Sequence, residues 1–218
     1  MPADARSAIL SAIRSANGRA TDLSRAALDY AQIPRTYTQH SSLSHDEAQA
    51  LLMERLIDYN ANVIPCTADE VPSAIRNALQ HHNAHNVLVP EDLPTHLLPD
   101  GFEVTVDHNL SPAELDRFDA AVTLGAIAIA ETGTIVLEGV SGQGRRATAL
   151  VPDVHICVLD AENIVTNVPE GFARLASAPD LPLTFFSGPS ATADIEMTRI
   201  KGVHGPRHLH ILLLQKPA

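Results

Sequence analysis

Between Val63 and Val89 the chain reads strand, helix, strand, with connections of a few residues, whereas from Ala120 onward it reads strand after strand. That change of texture constrains the fold more than any single motif. In the first part, Val63-Ile64-Pro65 is a brief strand. Thr67-Ala68-Asp69-Glu70 is a capping box, and Pro72 is tolerated in the first turn of the helix it opens. Val71, Ile75, Ala78 and Leu79 line that helix's inner face, and Asn86–Val89 reads as a buried strand. Such an order predicts a right-handed βαβ unit and a parallel sheet. Phe102–Val106 adds a strand, and Ser111-Pro112-Ala113-Glu114 starts a short helix. Strands then follow at 120–124, 126–130, 134–138 and 154–159, most of them too close together for helices to intervene. The second half therefore carries an antiparallel or mixed portion. Asn167–Ala176 reads as a capped helix, and Leu183–Phe186 and Leu209–Leu214 as the last strands. Aromatic residues make up only 4% of the chain, with no Trp, so the core is built from Ala, Val, Ile and Leu. That composition favours layers of helix and parallel sheet over an aromatic-rich sandwich.

Residues 4–16 read as a helix with Ile9, Leu10 and Ile13 on one stripe, ended by Asn17-Gly18. The segment 20–43 is polar and contains Pro34; it reads as a linker or an arm laid across a partner. A helix opens at the capping box Ser44–Glu47 and continues through Ala48, Leu51, Leu52, Leu56 and Tyr59. The expected division is an N-terminal helical arm, 1–43, and a single α/β domain, 44–218. An extended arm is compatible with a homo-oligomer. The formal net charge of −11 argues against a nucleic-acid partner or an anionic membrane surface. No apolar run reaches 18 residues and the start lacks a signal-peptide core, so no membrane span and a cytoplasmic location are expected. Cys66 and Cys157 both sit among apolar residues and read as buried free thiols.

Three stretches carry the polar chemistry. The first runs from Glu131-Thr132-Gly133-Thr134 to Ser141-Gly142-Gln143-Gly144, with Arg145 and Arg146 directly behind. Small residues allow backbone amides to approach an anion, and a guanidinium adds charge; two tight β-turns in a meander explain the same pattern. Glu131 is a candidate base or nucleophile, or a carboxylate that pairs with a neighbour. The second stretch, Ser187-Gly188-Pro189-Ser190 through Thr192, Asp194 and Glu196, follows a strand and enters a helix-like run. Its hydroxyls cap that helix or bind a phosphate or carboxylate at a sheet's carboxyl edge. In the third, His204 lies between Gly202 and Gly205 and precedes Arg207, as an anion-binding or acid/base pair. His208 and His210 alternate on one face of the last strand. A metal site with Asp194 or Glu196 is the weaker reading, because no HExxH or CxxC spacing supports it. No metal ligands are assigned, and His81-His82 read as solvent-facing. No Walker A loop or GxGxxG fingerprint is present.

Taken together, AETGT, GQGRR with LVPDVHICVL, SGPSATADIE and GVHGPRHLHILLL resemble the LUD (lactate utilization) family, in its lactate utilization protein C branch, over roughly residues 45–214. The resemblance implies a three-layer α/β sandwich similar to the NagB/RpiA/CoA-transferase-like fold, with a mixed, mostly parallel sheet. It implies a part in bacterial oxidation of L-lactate to pyruvate beside iron–sulfur partner subunits. This chain has none of the Cys quartets that hold such a cluster, so it would be the member without a cofactor. From the residues themselves, Glu131 and His204 are the candidate catalytic groups. The candidate ligand-binding residues are Thr132, Gly133, Thr134, Gly142, Gly144, Arg145, Ser187, Gly188, Ser190, Thr192, Asp194, Gly205 and Arg207, facing a small anionic ligand. Two alternatives stay open: CoA-transferase-like acyl or phospho-ester chemistry on Glu131, and a non-catalytic module that binds a small anion.

Overall fold

The computed structural model describes residues 3–17, 23–176, 180–192, 200–202 and 204–215. The chain divides into two compact units, Met1–Thr38 and Gln39–Ala218. The first holds helices α1 (Ala3–Ala16) and α2 (Leu23–Ala31). The second of these falls where the sequence reads as a polar linker; Leu28 and Tyr30 are apolar side chains it carries, and both are exposed. Ile9, Leu10 and Ile13, the stripe of α1, are exposed too.

The second unit runs α3 (His45–Asp58), β1 (Asn62–Cys66), α4 (Val71–His81), β2 (Asn86–Val89), β3 (Glu103–Val106), α5 (Pro112–Leu115), β4 (Ala120–Leu124), β5 (Ile127–Ile129) and β6 (Thr134–Leu137). It continues with α6 (Arg146–Leu150), β7 (Val154–Asp160), β8 (Ile164–Val165), α7 (Val168–Leu175), β9 (Thr184–Phe186), β10 (Ala191–Thr192), β11 (Ile200–Lys201) and β12 (His208–Leu214). The capping boxes at Ser44, Thr67, Ser111 and Asn167 all form. Each satisfies amide groups that a helix start leaves without partners.

Six strands form an all-parallel sheet in the order β1-β12-β7-β4-β2-β3. β1 and β2, joined through α4, are separated in it by three strands. A second sheet, β8-β5-β6-β9, is mainly antiparallel and takes up the closely spaced strands of the second half. On one face of the large sheet, α4 buries Val71, Ile75, Ala78 and Leu79 against Val87, Val122, Ile156 and Leu212. On the other face, Ala48, Leu52 and Leu56 of α3 and Ile135 and Leu137 of the small sheet pack against Cys157, Leu159, Ile211 and Leu213. α7 covers the far side of the small sheet through Leu175 against Ile127, Ile129 and Val136. The alternation along β12 is the reason both faces are filled: its odd-numbered leucines and isoleucine turn to α3 and its even-numbered residues to α4. Among the described residues no helix is long and apolar enough to cross a membrane.

Both cysteines are buried free thiols. Burial pushes the Cys157 thiol up to about 12, which removes it from thiolate chemistry at neutral pH.

Candidate functional site

The turn between β5 and β6 places Glu131 and Thr132 at the surface and buries Gly133 and Thr134. The Thr132 and Thr134 hydroxyls are 2.7 Å apart, and Thr134 is 2.7 Å from the Ser187 hydroxyl. The first and second stretches therefore meet, because β9 pairs with β6 and delivers Ser187 beside Thr134. The glycines here serve packing against α3. A Cβ on Gly133, at φ +59°, would stand 2.8 Å from the Arg55 Cβ, and one on Gly188 would stand 2.6 Å from the Tyr59 Cβ. Gly133→Ala is expected to destabilise the fold by about 2 kcal/mol or more, from left-handed backbone strain plus the contact with Arg55. A chemical denaturation curve reads this directly, and an unchanged midpoint would mean that the turn moves freely away from α3.

The glycine amides of the second loop are taken by backbone carbonyls. The Gly142 amide donates to the Glu91 carbonyl at 3.0 Å and the Gly144 amide to Val140 at 3.2 Å. Arg145 donates through Nε to Asp107 Oδ2 at 2.8 Å and through Nη2 to Asp107 Oδ1 at 3.0 Å, and also binds the Leu110 carbonyl. Thr148 and the Leu110 amide bind the same carboxylate. Burial raises the Asp107 pKa, but the bonds from Arg145, Thr148 and Leu110 together with the guanidinium charge outweigh it and hold the carboxyl below its ordinary value. Arg145 is thus a clamp joining α6 to the end of β3. It borders a cavity of about 410 Å³ at the carboxyl ends of β2 and β3 that also exposes Glu91, Asp92 and His108.

The second and third stretches converge on Ser190. Its amide donates to the Pro206 carbonyl at 2.8 Å, its carbonyl accepts from Gly202 at 3.0 Å, and its hydroxyl accepts from the His204 amide at 3.0 Å. The strand leading here, β9, belongs to the small sheet and not to the parallel one, so the sheet-edge rationale for these hydroxyls does not apply. The chain then continues as β10, paired with β11, where the sequence reads as the entry to a helix. Thr192 lies in β10, and Asp194 and Glu196 lie outside the described residues. Ser190, His204 and Gly205 line a cavity of about 400 Å³ with Arg146, Leu150, Leu183 and Phe185. Arg146 is exposed and, among the described residues, has no ion-pair partner. The sequence names Arg145 and Arg146 together behind the loop and selects Arg145 as the ligand-binding one; the pair splits at the start of α6, one guanidinium bound to buried Asp107 and the next turned to the Ser190 cavity. Arg207 lies apart from this cavity, its Nε 2.6 Å from Asp153 Oδ1.

Of the histidine pair, His81 is exposed as read and His82 departs from the sequence reading. His82 is half-buried rather than solvent-facing, with its Nε2 2.8 Å from that of buried His210. His155 is buried on β7 with its Nε2 2.9 Å from the Thr123 hydroxyl.

Residues 49–214 match the LUD domain family. A lactate utilization protein C of Deinococcus radiodurans is 45% identical over 181 residues, covering 82% of this chain and 84% of its own length. A lactate utilization protein C of Halalkalibacterium halodurans is 31% identical over 184 residues, covering 77% of this chain and 78% of its own. The crystal structure of a DUF162 family protein from Deinococcus radiodurans superposes with a TM-score of 0.69 at 40% identity, covering 79% of this chain and 99% of that one.

Proposed function

The chain belongs to the LUD domain family, and from that premise we propose that it serves bacterial lactate utilization, as a component of the oxidation of L-lactate to pyruvate that binds a small carboxylate. The observation that carries the binding role is the cavity where Arg146, Ser190 and His204 meet. The Arg146 guanidinium supplies the charge and two N–H donors for a carboxylate. The Ser190 hydroxyl and the exposed His204 ring supply hydrogen bonds for a hydroxyl or keto oxygen. Leu150, Leu183 and Phe185 form an apolar wall that suits a methyl group. Two cysteines are too few for a Cys₄ cluster, so the electrons of the oxidation pass to iron–sulfur partner subunits.

A thermal-shift titration with L-lactate and pyruvate tests the binding role, since a ligand that favours the native state raises its melting temperature. Arg146→Gln is expected to weaken the carboxylate about 10- to 100-fold, the worth of a hydrogen bond to a charged group. No shift with either acid, or a shift untouched by Arg146→Gln, would remove the site. Loss of growth on lactate after deletion, and co-purification with iron–sulfur proteins, test the wider role. Acyl chemistry on Glu131 is the competing reading. It requires turnover by the isolated chain that Glu131→Gln abolishes.

A further inference from the structure

Four imidazoles gather where the central strands begin. His208 and His210 open β12 on the face that packs against α4, and His82 caps the carboxyl end of α4. The ring of His208 lies 4.2 Å from that of His82, and the ring of His81 lies 4.8 Å from it, edge-on. Asn62, the first residue of β1, brings its amide to 3.2 Å from His210 Nδ1. None of these residues lines the cavities at Arg145 or Arg146.

We propose that His82 and His210 form a two-imidazole chelate for a borderline divalent transition ion, of the class of Zn²⁺, Ni²⁺ or Co²⁺, with water completing the shell. Imidazole nitrogens bind such ions at about 2.0–2.1 Å, so two ligands at right angles on an octahedral ion stand about 2.9 Å apart, and two on a tetrahedral ion about 3.3 Å. The two Nε2 atoms are hydrogen-bonded at 2.8 Å, so an ion that takes the place of the shared proton finds both nitrogens near the octahedral spacing, and that proton moves to His82 Nδ1. A ligating imidazole offers its other N–H to a carbonyl, which fixes the ring and its tautomer. The Asn62 Nδ2 stands 3.2 Å from His210 Nδ1, and a flip of the amide presents the Asn62 oxygen there to take that bond.

The surroundings set the limits of the site. His81 and His208 are exposed, which leaves an entry path for the ion. The Asp153 carboxylate is held by Arg207 at 2.6 Å. Among the described residues no three His, Cys, Asp or Glu side chains stand in metal-ligating geometry. The site is accordingly an open, exchangeable one with two protein ligands. Nitrogen donors exclude Mg²⁺ and Ca²⁺, which require oxygen.

The test is calorimetric titration of the untagged full chain with Ni²⁺ at pH 7.5, with Co²⁺ absorption as the spectroscopic readout. One equivalent is expected to bind, with no heat from Mg²⁺. His82→Asn, at a half-exposed helix end, is expected to abolish it. Asn62→Leu is expected to weaken it about 10- to 100-fold, as loss of an orienting partner does at other sites. His210→Asn is the second ligand variant, and circular dichroism reports whether each variant folds. Absence of Ni²⁺ binding by the wild-type chain overturns the proposal. So does binding that His82→Asn leaves at full strength.

Discussion

Asp107→Ala is expected to lower the stability of the second unit by about 2–4 kcal/mol, mainly the cost of leaving the Thr148 hydroxyl and the Leu110 amide without an acceptor, since the freed guanidinium reaches water. For a unit of this size that corresponds to a fall in melting temperature on the order of 10 °C. The Asp107 side chain is 1% exposed, and its two oxygens accept from Arg145 Nε and Nη2, the Thr148 hydroxyl and the Leu110 amide. Without the carboxylate, the Thr148 hydroxyl and the Leu110 amide lose their acceptor inside the protein. The guanidinium, with its side chain 35% exposed, keeps only the Leu110 carbonyl and water. Asp107→Asn retains one carbonyl oxygen and should cost less, which separates the charge from the hydrogen bonds. The consequence reaches beyond stability, because α6 begins at Arg146 and the Asp107–Arg145 pair fixes where it begins. Weaker binding of a carboxylate by Asp107→Asn, with Arg146 intact, would show this coupling. If thermal and denaturant melts of Asp107→Ala match the wild type, the clamp is not what holds α6 in place.

Acidification is expected to destabilise the chain well before its carboxylates titrate. Burial pushes His155 down to about 4, and burial followed by the charges of His82, His208 and His81 does the same to His210. In the unfolded chain a histidine titrates near 6.5, so between roughly pH 6.5 and 4 the unfolded state binds more protons and stability falls with pH. Each group then contributes about 2.5 kcal/mol of lost stability by pH 4.5, and the two together on the order of 5 kcal/mol. The effect is negligible above pH 7.5, where both states are neutral. Denaturant melts at half-unit steps from pH 7.5 to 4.5 measure it. His155→Gln retains a hydrogen bond to Thr123 and should remove about half of the slope; His210→Asn should remove the other half. A profile flat from pH 7 to 5 would contradict the burial of both rings.

Local chemistry made much of this visible before any coordinates. Ser44, Thr67, Ser111 and Asn167 each stand three residues before a glutamate, and capping depends on that spacing alone. The apolar runs that became β4, β7 and β12 read as strands because both faces of a covered parallel sheet are buried, which leaves them continuously hydrophobic. The family resemblance rests on short motifs whose order survives in sequence, and the match over residues 49–214 agrees with it. Other elements were hidden. α2 carries a helical apolar period but is only nine residues long, inside a segment whose other residues are mostly polar, and α6 is a single turn and a half placed behind a glycine loop. The ribbon of β10 and β11 depends on pairing across residues that no local pattern links.

What the sequence by itself determined is the inventory: an α/β chain with a parallel core, a mixed second half, buried thiols, and three polar stretches. Tertiary structure alone decided how those stretches divide their work. Arg145 and Arg146 are adjacent and chemically identical, yet one is paired with a carboxylate 38 residues away and the other has no ion-pair partner among the described residues. His82 and His210 are separated by 128 residues and touch because α4 ends where β12 begins. Neither fact leaves a local trace. Spacing along the chain governs caps and strands, whereas ion pairing, burial and ring contacts depend on which distant atoms the packed sheet brings within a few ångströms.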